Sequence, residues 1–254
     1  MPRAEPRLGE TVALGLLQGP AELLPISSSA HVGLLPWALG WRHAALPGAV
    51  RKEVEVALHA GTALALAPSV RPSRWALLAA ATAPPAVAGL LLERAVEERL
   101  GTPPTVALGL LAGAAAMVAA DRTPARRDAS SAGVIDGACL GLAQAAALFP
   151  GVSRSGATRA AARWRGFGRE DAAALSREVA LPVLAGAAAL KGVRLAQRRP
   201  GASTIRALAA GAAAAAVSTF AASRLEPRDV PLAGWAAYRV AAATAILAVR
   251  RRRP

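Results

Sequence analysis

Cysteine is nearly absent from this 254-residue chain: Cys139 stands alone, inside an apolar run. A disulfide framework and a Cys-based metal site are thereby excluded. Acidic residues are scarce, 16 Asp and Glu against 30 Lys and Arg, and aromatic residues make up only 4%. A cleavable signal peptide is also lacking, because the apolar run after Arg7 contains Glu22 and offers no convincing cleavage site. The first hydrophobic segment is therefore expected to stay in the mature protein. Neither a soluble domain nor a nucleic-acid module is recognisable.

Apolar sequence is what the chain has in quantity, 54% of its residues, gathered in long blocks. Thr105 to Ala120, Ala132 to Phe149, Ile205 to Ala222 and Leu232 to Val249 carry almost no charge in their interiors. Each approaches the roughly 17 to 25 residues that cross a bilayer. Further candidates run from Val54 to Val70, Trp75 to Leu92 and Asp171 to Leu190. An alanine-rich soluble bundle is the competing reading, but it would leave too much apolar surface in water. The expected class is all-α, a polytopic membrane protein in which residues 1–254 form one integral membrane domain.

The net charge of +14 would suggest nucleic acid in a soluble protein. Here the basic residues gather between apolar runs: Arg71 and Arg74, Arg122 with Arg126 and Arg127, Lys191 to Arg199, and Arg250 to Arg253. Cations beside a bilayer gain about 1 kcal/mol each from anionic headgroups. Membrane lipids thus account for the charge, and no nucleic-acid partner is expected.

The two halves of the chain are alike. At an offset of 126 residues, Leu14, Gly15, Leu16, Gln18, Ser27 and Ser29 fall on Leu140, Gly141, Leu142, Gln144, Ser153 and Ser155. Each copy is an apolar run, a proline, a hydroxyl cluster and a weaker apolar run. Pro25 and Pro150 interrupt helices, and interrupted backbone survives in a bilayer only where protein or a wet cavity surrounds it. Both segments therefore read as re-entrant helical hairpins whose tips meet inside the membrane. About three spans follow each hairpin, so the halves, about 8–125 and 131–250, form an inverted repeat with a site at their interface. Basic residues fall on both sides of that plan, and the positive-inside rule gives no orientation.

Two clusters carry chemistry. The first is Gln18-Gly-Pro-Ala-Glu22-Leu-Leu-Pro25-Ile-Ser27-Ser28-Ser29-Ala-His31. An ionisable group at membrane depth is a functional candidate, and a helix starting at the serines offers an anion its free N–H groups. A plain N-cap role for Ser27 and a wet-interface role for His31 are the structural alternatives. The second cluster is Pro150-Gly-Val-Ser153-Arg154-Ser155-Gly156-Ala-Thr158. Its glycines admit a ligand close to the backbone, and Arg154 supplies a planar fork of donors suited to phosphate. Together the clusters point to phosphoryl transfer.

On these two motifs the chain resembles the undecaprenyl-pyrophosphate phosphatases, the bacitracin-resistance membrane phosphatases. Weaker echoes are Leu58-His59-Ala-Gly61-Thr62, Ser176 with Leu181-Pro182, and Tyr238-Arg239. Ala21 and Ala30 depart from the usual Thr and Gly, Gln18 stands where some members have Glu, and Arg177-Glu178 occupy a usually apolar stretch. The resemblance implies hydrolysis of a polyprenyl pyrophosphate to the monophosphate carrier of cell-wall synthesis, in the cytoplasmic membrane with the site facing outward. It implies Ser28 as nucleophile, with Ser27 competing, and Glu22 as its proton acceptor. Arg154 would hold the pyrophosphate, and His31 would act as acid or as activator of water. Gln18, Ser27, Ser29, Ser153, Ser155, Gly156 and Thr158 would line the phosphates. A divalent cation, Mg or Ca, is compatible with Glu22 plus a pyrophosphate, and no organic cofactor is expected. Oligomeric state is not readable, and a homodimer stays open. Two other classes compete: a polyprenyl-phosphate transporter or flippase without hydrolysis, which would need Arg154 but not Glu22, Ser28 and His31 together, and a non-catalytic envelope protein.

Overall fold

A computed structural model describes residues 5–226 and 229–252. Residues 1–4, 227–228 and 253–254, which include the ends of the expected solvated tails, lie outside the described residues. Ten α-helices occur among the described residues: α1 Leu8–Leu23, α2 Ser28–Leu39, α3 Gly48–Leu66, α4 Trp75–Arg99, α5 Pro103–Asp121, α6 Val134–Ala146, α7 Arg154–Trp164, α8 Arg169–Gln197, α9 Ala202–Leu225 and α10 Leu232–Arg252. Local chemistry sets several boundaries. Thr102 and Thr105 form a capping box ahead of α5, with Pro103 in its first turn, where a missing N–H costs nothing. Gly40 ends α2 in the left-handed region at φ 69°, as helix C-termini favour.

Five of these helices, α4, α5, α8, α9 and α10, are long and apolar enough to cross a membrane. The expected span Val54–Val70 is shifted. Its helix is Gly48–Leu66, and a 3-10 turn, Ala67–Ser69, follows. The first turns of α3 carry Arg51, Lys52, Glu53 and Glu55, which hid its true start from a hydropathy reading. The block Ala132 to Phe149 holds only the 13-residue α6, about 20 Å at 1.5 Å per residue and too short to cross.

Helix contacts repeat under exchange of the halves. Helix α1 packs on α9 and α6 on α4, α3 pairs with its counterpart α8, and α5 with α10. Small residues permit these contacts, as lipid-embedded helices require. A Cβ at Gly15 would meet the Gly211 carbonyl oxygen of α9 at 2.4 Å, and one at Gly141 would meet that of Ala80 in α4 at 2.9 Å. Helix α3 closes on α9 at Gly61, where a Cβ would lie 2.0 Å from the Ala212 oxygen.

Each short helix pair turns back to the end it came from. The Arg42 and His43 amides, just beyond α2, donate to the carboxylate of Glu10 at the start of α1, at 3.2 and 2.8 Å. Asp136, at the start of α6, accepts from Arg165 beyond α7 at 2.8 Å and from both terminal nitrogens of Arg127 at 2.9 and 2.8 Å. Glu10 and Asp136 lie at the 126-residue offset. The end of the first pair at which α1 begins and α2 finishes, its mouth, sits beside the start of α9, where Ser203 donates to Glu5. The second sits beside the start of α4, where Arg74 donates to the Ala129 and Ala132 carbonyls.

Candidate active site

The two hairpin tips meet, and a network of cross-tip contacts joins them. Leu24 leaves α1 in an extended conformation, so Pro25 and Ile26 turn the chain before α2 begins. The residue before each second arm, Ser27 and Ser153, has φ 79° and 68°. A serine there costs on the order of 1–3 kcal/mol, and both hairpins carry that strain at the same repeat position. Ser153 recovers part of it by accepting the Gly156 amide at 3.2 Å. Both second arms thereby start at the tips and aim their positive dipole ends at the space between.

Across that space, Arg154 Nη2 donates to Glu22 Oε1 at 2.9 Å, while its Nη1 donates to the Ser176 carbonyl at 2.9 Å. Gln18 donates to Glu22 Oε2 at 3.1 Å, His59 Nε2 lies 3.6 Å from the same oxygen, and the Ser28 side chain is close to this carboxylate. Arg154 Nε is buried without an acceptor, a donor left over at the place where an anion would bind. Ser155 donates to the Leu24 carbonyl at 2.9 Å, and the Gly151 amide to Ser29 Oγ at 3.3 Å. Ser27 and Ser29 hydroxyls lie 3.0 Å apart. Thr158 Oγ1 pairs with Ser176 Oγ at 2.7 Å, so its hydroxyl buttresses Arg154 from behind.

Of the residues singled out in the sequence, Gln18, Glu22, Ser28 and Arg154 are thus gathered in one place, ringed by Ser27, Ser29, Ser153 and Ser155. Gly156 packs near Arg239, where a Cβ would approach Nη1 to 3.2 Å. His31 stands apart from Glu22. Its Nδ1 lies 2.8 Å from the Ser27 carbonyl oxygen and its Nε2 2.6 Å from the Tyr238 hydroxyl, with the two rings stacked.

Four residues outside the expected set complete the site: His59, Ser176, Tyr238 and Arg239. Arg239 is fully buried and donates to five carbonyls: Leu110, Pro25, Gly109, Gly151 and Val152. It therefore ties both tips to α5. All four sit in the weaker sequence echoes, yet none lies inside a hairpin, so only packing could place them.

The donor set does not fit a protein-held cation. Among the described residues Glu22 is the one carboxylate that pairs across the tips, both its oxygens are engaged, and no group of three or more His, Cys, Asp or Glu that could hold a metal occurs. Chemically, the arrangement offers a carboxylate beside a hydroxyl, an arginine fork with a spare donor, and two helix N-termini. That set can bind a phosphate and activate an oxygen nucleophile against it.

Fold and candidate site together describe a polytopic membrane protein whose two broken helical hairpins gather groups able to bind a phosphate. The sequence profile of the bacitracin resistance protein BacA matches residues 11–77 and 69–245, and the chain belongs to that family. An undecaprenyl-diphosphatase of Geobacter sulfurreducens is 38% identical over 92% of this chain and 95% of its own length. Those of Pelobacter propionicus and Gemmatimonas aurantiaca are 35% and 36% identical, covering 93% and 83% of this chain and 94% and 85% of their own lengths.

Proposed function

We propose that this protein hydrolyses undecaprenyl pyrophosphate to undecaprenyl phosphate and inorganic phosphate, recycling the lipid carrier of cell-wall synthesis. The observation that carries the reading is the Glu22–Arg154 pair joining two tips from opposite halves, with Ser28 beside it. In the mechanism, the terminal phosphate of the lipid competes for Arg154 and takes up its spare Nε donor. Ser28 Oγ attacks that phosphorus as Glu22 accepts the hydroxyl proton, and the bond to the bridging oxygen breaks to release the lipid monophosphate. Water then attacks the phosphoserine, freeing inorganic phosphate and restoring the Ser28 hydroxyl. The amide ends of α2 and α7 and the Arg154 fork stabilise the charge on the transferring group, where positioning and electrostatics dominate. His31, held by Tyr238, supplies the proton to the leaving lipid phosphate or activates the water. A divalent cation, Mg or Ca, would enter as the counter-ion of the pyrophosphate, since no cage for it occurs among the described residues.

The contact exchange between halves and the two opposed mouths support an inverted repeat. On that plan the protein is multi-pass in the cytoplasmic membrane, and the end bearing the α1–α2 mouth faces outward. Phosphate release from undecaprenyl pyrophosphate by purified protein in detergent tests the activity. Glu22→Gln and Arg154→Ala should each lower kcat by about 10²-fold or more. A well-folded wild type that releases no phosphate in Mg or Ca would instead favour a carrier of polyprenyl phosphate, a role that the opposed mouths also suit.

A further inference from the structure

Glu226 is a buried carboxylate that the mechanism above leaves without a task. It stands one residue beyond α9, outside both hairpins, with its amide donating to the Ala222 carbonyl at 2.9 Å and its side chain only 4% exposed. A charge is buried at a high cost unless it is paired, and this one is paired twice. Oε1 accepts from Arg159 of α7, and Oε2 accepts from Arg177 of α8. Arg177 is itself a charge inside a helix long and apolar enough to cross a membrane, where an ionisable group needs a reason.

Each of the two arginines leads back to a contact at the tips. The Arg159 nitrogen that reaches Glu226 also donates to the carbonyl of Leu23, the residue after Glu22, at 2.8 Å. Arg177 follows Ser176, whose carbonyl takes Arg154 Nη1 at 2.9 Å and whose hydroxyl meets that of Thr158 at 2.7 Å. Glu226 thus braces from behind both the backbone that carries Glu22 and the backbone that receives Arg154. It also restrains a competitor. Arg159 lies within electrostatic reach of Arg154, and its Nε is buried without an acceptor, a donor that gains by finding one. Its hold on Leu23 brings it to within one residue of Glu22. By engaging Arg159, Glu226 leaves the Glu22 carboxylate to Arg154.

We propose that Glu226 is a positioning residue for phosphoryl transfer: through Arg159 and Arg177 it sets the alignment of the Glu22–Arg154 pair across the tips. The proposal rests on the phosphatase reading for its effect on turnover. Glu226 takes part in no bond that forms or breaks, so its influence falls on the chemical step through geometry alone.

The test is a double-mutant cycle on full-length protein in detergent, read by turnover of undecaprenyl pyrophosphate and by Tm. Glu226→Gln keeps the shape of the side chain and removes its charge. It should lower kcat about tenfold and leave the KM for the lipid within about twofold, since small misalignments act on the reacting groups. In an Arg154→Ala background the pair is already broken, and the same change should cost less than about threefold, because residues that act through one another are not additive. Arg177→Gln leaves Arg159 on Glu226 and should show the same pattern with a smaller loss; it decides the matter if Glu226→Gln does not fold. Equal fold-losses in both backgrounds would make the role merely structural and overturn the proposal. A raised KM with unchanged kcat would overturn it as well, by moving Glu226 to lipid binding. If wild type shows no turnover, the phosphatase reading fails and the Tm values of the same four proteins decide on Glu226. A Tm loss that shrinks once Arg154 is replaced supports the alignment of the pair by Glu226, and an equal loss rejects it.

Discussion

At the residue scale, the site divides its labour between two unlike copies of one element. At the 126-residue offset Ser28 corresponds to Arg154, and Glu22 to Leu148. One hairpin supplies the hydroxyl and the carboxylate; the other supplies the cation. A symmetric pair of Glu–Ser hairpins would bring two carboxylates together and repel a pyrophosphate, so the divergence of the copies suits the proposed phosphate site. Ser27 and Ser28 are neighbours, but their settings differ. Ser27 is buried at φ 79° with its hydroxyl turned to Ser29, whereas Ser28 opens the first turn of α2 and lies close to Glu22. Ser28→Ala should therefore lower kcat by about 10³-fold or more, the scale seen when a nucleophile is removed. Ser27→Ala should retain most turnover. Phosphate release under single-turnover conditions checks both, and the reverse order of losses would make Ser27 the nucleophile. The serines, Glu22 and Arg154 were legible in the sequence because polar groups in an apolar run need a reason. His59 and Arg239 were legible only as weak echoes. Their meaning depends on α3 and α10 packing against the tips, more than 30 and 80 residues away in sequence.

At the scale of elements, each hairpin is a broken helix pinned at two places, its mouth and its tip. The tips are pinned by Arg239, which donates to the backbone of Pro25 on one side and of Gly151 and Val152 on the other. At the offset of the repeat Arg239 corresponds to Gly113, and a Cβ on that glycine would lie 2.2 Å from Arg239 Nη2. One half lacks a side chain where the other half's guanidinium lies. The mouths are pinned by Glu10 and Asp136. Burial alone would raise the Asp136 carboxyl, but hydrogen bonds from Arg127, the Gly133 amide and Arg165 outweigh it and hold the group well below the usual carboxylate range. A depressed carboxyl stabilises the fold above the unfolded value, about pH 4, and loses that contribution as pH falls further. Asp136→Asn should accordingly cost roughly 3 kcal/mol near pH 7, the scale for removing one partner of a buried ion pair. Thermal unfolding from pH 7 down to pH 3 checks this: the Tm gap between wild type and variant should narrow below pH 4. A gap that stays constant would mean that the carboxylate charge contributes nothing at the mouth. The hairpins as units were legible because proline and serine clusters interrupt apolar runs. The start of α3 was not, because its charged first turns look like a loop when hydropathy alone is counted.

At the scale of the whole molecule, the decisive property is the opposed placement of the two mouths. The first lies at the end where α1, α3 and α9 begin, and there Glu10 accepts from the Arg42 and His43 amides. The second lies at the end where α4 and α8 begin, and there the carboxylates of Asp121, Asp136, Glu178 and Glu226 are each paired with arginine. Ion pairs occur at the first end too, where Arg198 pairs with Glu53 and Lys52 with Glu55. Sequence charge could not reveal the opposition of the mouths, because arginines are numerous at both ends. The arrangement is testable with the lone cysteine removed. In a Cys139→Ala background, Ala45→Cys places a thiol beside the first mouth and Ser131→Cys one beside the second, both at exposed positions. A membrane-impermeant maleimide applied to intact cells should label Ala45→Cys, whereas Ser131→Cys should react only after the membrane is opened. Labelling of both from the same side would overturn the inverted arrangement. Labelling of Ser131→Cys alone would keep the inversion but turn the first mouth toward the cytoplasm.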